Sequence, residues 1–232
     1  MIESVLEKVI KFLSSSENIF APILEIPLSD ENIHIIDLSN NNVMLQDIKL
    51  EQPEDFTALI FDHIKSGGAK VGIGGYLENR TIYNQSENFN GEERRTIHLG
   101  IDIWAPEGTV VYAPLQGSLH SFNNNKGLGN YGPTIVLEHN IKQFTFFTLY
   151  GHLSEQSLDF IKEGETVKQG SLLGRIGSAS VNGGWPPHLH FQIITDMQGF
   201  KGDFPGVAAP SKVDYYSKIC PDPNLILKVK KL

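Results

Sequence analysis

Beyond residue 67 the chain is cut into short apolar runs bounded by glycine, proline or asparagine, a pattern that builds strands and turns but not long helices. Strands are expected at 70–73, 98–104, 109–112, 117–122, 134–139, 144–150, 166–168, 172–176 and 188–194. The 22 glycines and 12 prolines supply the turns, and 40% hydrophobic content suffices for one sizeable core. Residues 67–232 are therefore expected to form one mainly β domain, an antiparallel sheet or sandwich ending in a turn-rich tail after Asp196. Residues 1–66 read as a small α/β extension. There Ile2, Val5, Leu6, Val9, Ile10 and Leu13 recur at helical spacing, predicting an amphipathic helix over 2–14. Short strands are expected near 22–26 and 33–37, and a helix over 54–65 closed by Ser66-Gly67-Gly68.

Charge and cysteine usage narrow the function. The net charge is -8 and no run of Lys or Arg marks a nucleic-acid footprint, since Lys228, Lys230 and Lys231 read as a solvated end. Cys220 is the single cysteine, which excludes an intrachain disulfide and argues against thiolate metal sites. Glu3 and Glu7 stand where a secretory leader would be basic, and Lys8 and Lys11 interrupt its apolar stretch. No segment is long and apolar enough to span a bilayer. These features lead to the expectation of a cytoplasmic chain, with a periplasmic or exported location as the alternative if a leader has been removed. Oligomeric state is not legible.

Four of the eight histidines fall in patterns that suit metal chemistry. His188 and His190, two apart in Pro187-His188-Leu189-His190-Phe191, share one face of a strand. In His98-Leu99-Gly100-Ile101-Asp102 a four-residue spacing also returns to one strand face, with Gly100 leaving that face open. His152 follows Tyr150-Gly151 at the end of an aromatic strand, where a loop can hold it at the rim of a site. Catalytic zinc takes three nitrogen or oxygen ligands and keeps one position open, a count that two histidines and a carboxylate meet. The remaining histidines can then carry protons near neutral pH. His34, His63, His120 and His139 read as structural or surface residues.

With these residues in view, the sequence resembles the lysostaphin/LytM-type zinc metalloendopeptidases, bacterial enzymes that cut peptide bridges in peptidoglycan. The likeness covers about residues 96–194. It rests on His98-Leu99-Gly100-Ile101-Asp102-Ile103, Ala113-Pro114 with Gly117, Tyr131-Gly132 followed by the strand ending Glu138-His139, Tyr150-Gly151-His152-Leu153, Gly164 with Val167 and Gly170, and His188-Leu189-His190-Phe191. The resemblance implies a duplicated-hybrid-like β fold, Zn2+ bound by His98, Asp102 and His190, and His152 and His188 as catalytic histidines that are not ligands. It implies a peptide or peptidoglycan-like substrate, in a groove for which Asn130, Tyr131, Tyr150 and Trp185 are candidate walls.

One departure stands out. Such enzymes usually carry Ser/Thr-Gly-Pro-His before the second motif, whereas this chain reads Gly183-Gly184-Trp185-Pro186-Pro187-His188. Proline fixes φ and removes a donor, so a stiff wall with fewer backbone donors is expected, thickened by Trp185. Together with Gly202-Asp203-Phe204-Pro205-Gly206 and Cys220-Pro221-Asp222-Pro223-Asn224, this block is similar to a peptidase-like segment of some bacterial multidomain proteins, between kinase-like and class III aminotransferase domains. Three other functions compete. Val111-Tyr112-Ala113-Pro114 and Glu163-Gly164-Glu165-Thr166-Val167 resemble the halves of biotinyl or lipoyl carriers, but the lysine-bearing hairpin tip is not evident. A non-catalytic LytM-like binding module and a cytoplasmic zinc hydrolase of a small peptide or amide are the other two.

Overall fold

A computed structural model describes residues 4–42, 45, 48, 49 and 52–232. Helix α1, Val5–Ser14, opens on a reciprocal cap in which the Ser4 hydroxyl accepts from the Glu7 amide and the Glu7 carboxylate accepts from the Ser4 amide. Residues 2 and 3 of the expected helix lie outside the described residues. Helix α2, Pro53–Ser66, starts on a proline that is preset for a first turn.

Strands β1 (Ile33–Ile35), β2 (Val71–Gly74), β4 (Ile101–Trp104), β6 (Gly117–Asn125), β7 (Gly132–Ile141), β8 (Phe144–Gly151), β9 (Thr166–Val167) and β11 (His188–Ile194) form one eight-stranded sheet. Its order is β1-β2-β4-β11-β8-β7-β6-β9. Only the β1–β2 pair is parallel, so the sheet is antiparallel in character and the expected fold class holds. β3 (Ile97–His98) pairs with β12 (Val207–Ala208), and β5 (Val110–Tyr112) with β10 (Leu172–Arg175). Because β1 adds to the sheet through β2, residues before 67 share the sheet of the remainder.

The period-two alternation of β11 divides its side chains between two environments. Leu189, Phe191 and Ile193 enter the main core, where Val9 and Leu13 of α1 also pack. His188, His190 and Gln192 take the opposite face. On β4, Ile101 and Ile103 likewise enter that core, leaving Asp102 and Trp104 beside the histidines. A second apolar cluster joins the two halves of the chain, bringing Leu38 and Phe56 against Tyr83, Trp104 and Trp185.

Three expectations change. The run at 98–104 is two strands, because the Leu99 amide leaves the sheet to donate to the Gly206 carbonyl at 2.8 Å. The run at 22–26 forms no strand and contributes one isolated bridge, Leu24 to Val111. The tail, read as turns, contains β12 and the short helices α3 (Val213–Tyr216) and α4 (Asn224–Leu227).

Candidate metal centre

In the sheet register Asp102 of β4 lies directly opposite His190 of β11, and His190 lies opposite Gly151 of β8. His98 does not reach them by strand alternation. Four residues of extended chain span about 13 Å, too far for two ligands of one ion. The break at Leu99-Gly100 brings His98 back towards Asp102, so that the same-face reading had the right residues for an incomplete reason. Gly100 is required by His190 itself: a Cβ there would lie 2.5 Å from the imidazole Cε1 and 2.6 Å from Nε2. Gly151 makes similar room for the Tyr131 ring, 2.7 Å from the position of a Cβ.

Each of the three side chains has its outward atom tied off and its inward atom free. His98 Nδ1 lies 3.0 Å from the Gly75 carbonyl, a partner that fixes the proton on Nδ1 and leaves a lone pair on Nε2. His190 Nε2 lies 2.9 Å from Gln192 Oε1, which leaves the lone pair on Nδ1. Asp102 Oδ2 accepts from Arg80 Nη1 at 2.6 Å, leaving Oδ1. The free atoms sit 3.0 Å (His98 Nε2 to His190 Nδ1), 3.1 Å (His190 Nδ1 to Asp102 Oδ1) and 3.3 Å (His98 Nε2 to Asp102 Oδ1) apart. A tetrahedral ion with bonds of about 2.0 Å has ligand–ligand edges of roughly 3.3 Å. Two imidazole lone pairs and a carboxylate oxygen converging with no proton between them form a cation's ligand set, and His98, Asp102 and His190 are the metal-capable cluster among the described residues.

Electrostatics agree with a neutral-imidazole site. Burial and the Arg80 charge push His98 down to about 4. Burial alone would raise the Asp102 carboxyl, but His98, Arg80 and His188 hold it well below the usual carboxylate range. His188 and His152 complete the group. His188 Nδ1 lies 2.7 Å from the Pro186 carbonyl, its Nε2 is 3.6 Å from Asp102 Oδ1, and Trp104 stacks on its ring at 5.8 Å. His152 has a left-handed φ of 62°, its amide donates to the Tyr131 carbonyl at 2.9 Å, and its Nδ1 lies 2.9 Å from the Asn182 carbonyl. The His152 and His188 rings are 4.1 Å apart. Burial lowers the pKa of both, more strongly for His152, so both are neutral proton acceptors at pH 7.

All five nominated residues thus meet at one cavity of about 350 Å³. Asn130, Tyr131 and Trp185 line it as expected, but Tyr150 does not: it is buried in the core, hydrogen-bonded to Thr148. The proline-rich wall is thickened by Trp185, as expected. It contributes an acceptor, the Pro186 carbonyl, while the Trp185 amide donates to Asn182 Oδ1 at 3.1 Å and the Trp185 ring packs on Phe56 and Tyr83. His34, His63, His120 and His139 lie outside the cavity lining.

Sequence reading missed Arg80, Glu78 and Gln192. Arg80 is 2% exposed and also bonds Glu78 Oε2 at 2.6 Å and the Tyr83 hydroxyl at 2.9 Å. Gln192 was detectable, since it stands two residues after His190 on the same strand face. Arg80 was not, for no local pattern links it to Asp102, 22 positions away.

Comparison with known proteins gives the site a context. Residues 96–201 match the model of Peptidase family M23. The chain is similar to the peptidoglycan DD-endopeptidase ShyC of Vibrio cholerae, with 29% identity over 160 residues, or 63% of this chain and 34% of that protein. It is also similar to the DD-carboxypeptidase/endopeptidase Mpg of Neisseria meningitidis, with 35% identity over 44% of this chain and 21% of that one. The chain therefore spans about a third or less of the length of these curated relatives. Among solved structures it is similar to the catalytic domain of the antimicrobial peptidase lysostaphin from Staphylococcus simulans, at 26% identity and a TM-score of 0.41, covering 62% of this chain and 91% of that one.

Proposed function

Because residues 96–201 are a peptidase family M23 domain of the lysostaphin/LytM type, we propose that this chain hydrolyses a peptide amide bond using zinc held by His98, Asp102 and His190. The observation that carries the reading is the convergence of three unprotonated donor atoms at 3.0–3.3 Å, each with its other polar atom already bonded. When bound, zinc supplies Lewis acidity that acidifies water and polarises a carbonyl. The protein's part is to hold those donors neutral or anionic and to move protons beside them. His188 acts as the base: its Nδ1–H is anchored on Pro186, its Nε2 lone pair faces the Asp102 side of the site, and its lowered pKa leaves it unprotonated at pH 7. Having accepted a proton at Nε2, it can return it to the leaving amine. His152, locked on the Asn182 carbonyl beside that ring, orients the reacting groups and steadies the charge that develops on the substrate carbonyl. The names of the relatives support a peptidoglycan-type stem or cross-bridge peptide as the substrate class.

Metal analysis and hydrolysis assays on peptidoglycan, oligoglycine and small peptides test this, comparing wild type with His188→Ala. About one zinc per chain is expected in both proteins, with turnover reduced roughly 10²- to 10⁴-fold in the variant. Stoichiometric loss of zinc from His188→Ala would make His188 a ligand. A wild type that takes up no zinc on reconstitution would remove the site.

A further inference from the structure

The residues matched by the family model end at 201, yet the segment 202–207 that follows is built into the metal centre. The Gly202 amide donates to Ser121 Oγ and the Gly202 carbonyl accepts from Asn125 Nδ2, both at 2.8 Å, which ties this end of the segment to β6. Phe204 is buried in an apolar cluster with Leu99 and Cys220. At the other end Val207 of β12 stands directly opposite His98 of β3.

Pro205 and Gly206 stand behind both histidines of the ligand set. Gln192 Nε2 donates to the Pro205 carbonyl and to Cys220 Sγ, each at 3.2 Å, while its Oε1 faces His190 Nε2 at 2.9 Å. Turning that amide over would set its NH2 against the imidazole N–H and its oxygen against the Pro205 carbonyl. The segment therefore fixes which end of Gln192 the histidine meets. The next carbonyl, that of Gly206, accepts the Leu99 amide at 2.8 Å, the bond that returns His98 to Asp102. One dipeptide thus governs the approach of two ligands that come from different strands.

Gly206 has a further link to His190. Its φ lies outside the left-handed region, so glycine is needed here for space rather than for backbone freedom. A Cβ at this position would overlap the Tyr131 hydroxyl and lie 2.7 Å from Cζ of the same ring. That hydroxyl is 3.3 Å from His190 Nε2, and the Tyr131 ring centre lies 5.0 Å from that of His190 and 5.4 Å from that of His152. Gly151 clears the other end of the ring. A side chain at 206 must therefore displace the tyrosine or lift the loop off β3, and either movement disturbs what supports a ligand.

We propose that Pro205-Gly206 is a positioning element of the metal centre, with Gly206 the residue on which His98 and His190 jointly depend. The identity of the metal rests on the function proposed above, but the placement of the imidazoles does not. Long-range proton–nitrogen NMR of the zinc-free full chain should show His190 as a single Nε2–H tautomer. Gly206→Ala should populate both tautomers and weaken zinc binding, read by competition titration, about 10- to 100-fold. In a Tyr131→Leu background, where the added methyl meets no ring, the same change should cost less than about threefold. Gln192→Met cuts the link from Pro205 to His190 and should give the same tautomer mixing with a similar loss of zinc affinity. It carries the test if Gly206→Ala fails to fold. A Gly206→Ala protein that is less stable to urea, yet keeps one tautomer and zinc affinity within about twofold, has lost only packing and overturns the proposal. Mixed tautomers in wild type, or an equal cost with and without the Tyr131 ring, overturn it as well. A wild type that takes up no zinc removes the proposed function, while the tautomer measurements still decide this inference.

Discussion

Arg80→Met isolates the ion network behind the candidate ligand set. The substitution removes three bonds, to Asp102 Oδ2 at 2.6 Å, Glu78 Oε2 at 2.6 Å and the Tyr83 hydroxyl at 2.9 Å. It leaves two carboxylates whose side chains are 4% and 13% exposed without their countercharge. Removing one partner of a buried pair costs about 3–5 kcal/mol, a large share of an ordinary folding stability of about 5–15 kcal/mol. Zinc binding should weaken by about 10- to 100-fold, because Arg80 occupies Oδ2 and so orients Oδ1. The assays are denaturant unfolding of the zinc-free protein and competitive zinc titration. A pH series adds a signed check. The Asp102 carboxyl is held low in the folded protein, so its contribution is present above its unfolded pKa of about 3.9 and is lost as pH falls further. The stability gap between wild type and variant should therefore be full at pH 7 and shrink below about pH 4. A variant within about 1 kcal/mol of wild type at pH 7, with zinc affinity within about twofold, would refute the reasoning.

Other consequences follow from single contacts. Gly100→Ala puts a methyl 2.5 Å from the His190 ring, with the Phe191 carbonyl only 2.8 Å away on the backbone side, and should weaken zinc binding at least about tenfold, read by the same competition titration. His139, outside the site, is pushed down to about 4 by burial, so the unfolded chain, with a His pKa near 6.5, takes up the proton first. Wild type should thus lose about 3 kcal/mol more stability than His139→Gln between pH 7 and pH 4, measured by urea unfolding; equal losses would contradict it. Cys220 is fully buried and its thiol is pushed up to about 12, so the native protein should resist a thiol-reactive dye at pH 8 and label only when unfolded.

What could be read from the sequence, and what could not, divides along the physics of each element. The H-x-H pair was legible because strand alternation is local: His188 and His190 share a face of β11 whatever lies around them. The same rule, carried one step further, reaches Gln192, which the sequence reading passed over and whose place two residues on makes it the acceptor that sets the His190 tautomer. Alternation failed at His98-Leu99-Gly100-Ile101-Asp102, because the break depends on Gly206, over a hundred residues away, accepting the Leu99 amide. Gly100 was the available clue, since a glycine inside an apolar strand pattern marks a bend or a close approach, and here it marks both. Arg80, Leu38 and Phe56 were beyond local reading altogether. They come before the recognisable motifs and reach the site only through the parallel pairing of β1 with β2 and the packing of α2 on that edge. The legible residues are those that bear the proposed chemistry, while the residues that shape the cavity around them are set by tertiary packing. Two chains sharing every motif from His98 to His190 can therefore differ in what they admit, and the difference would lie in a segment such as 33–82 that no motif describes.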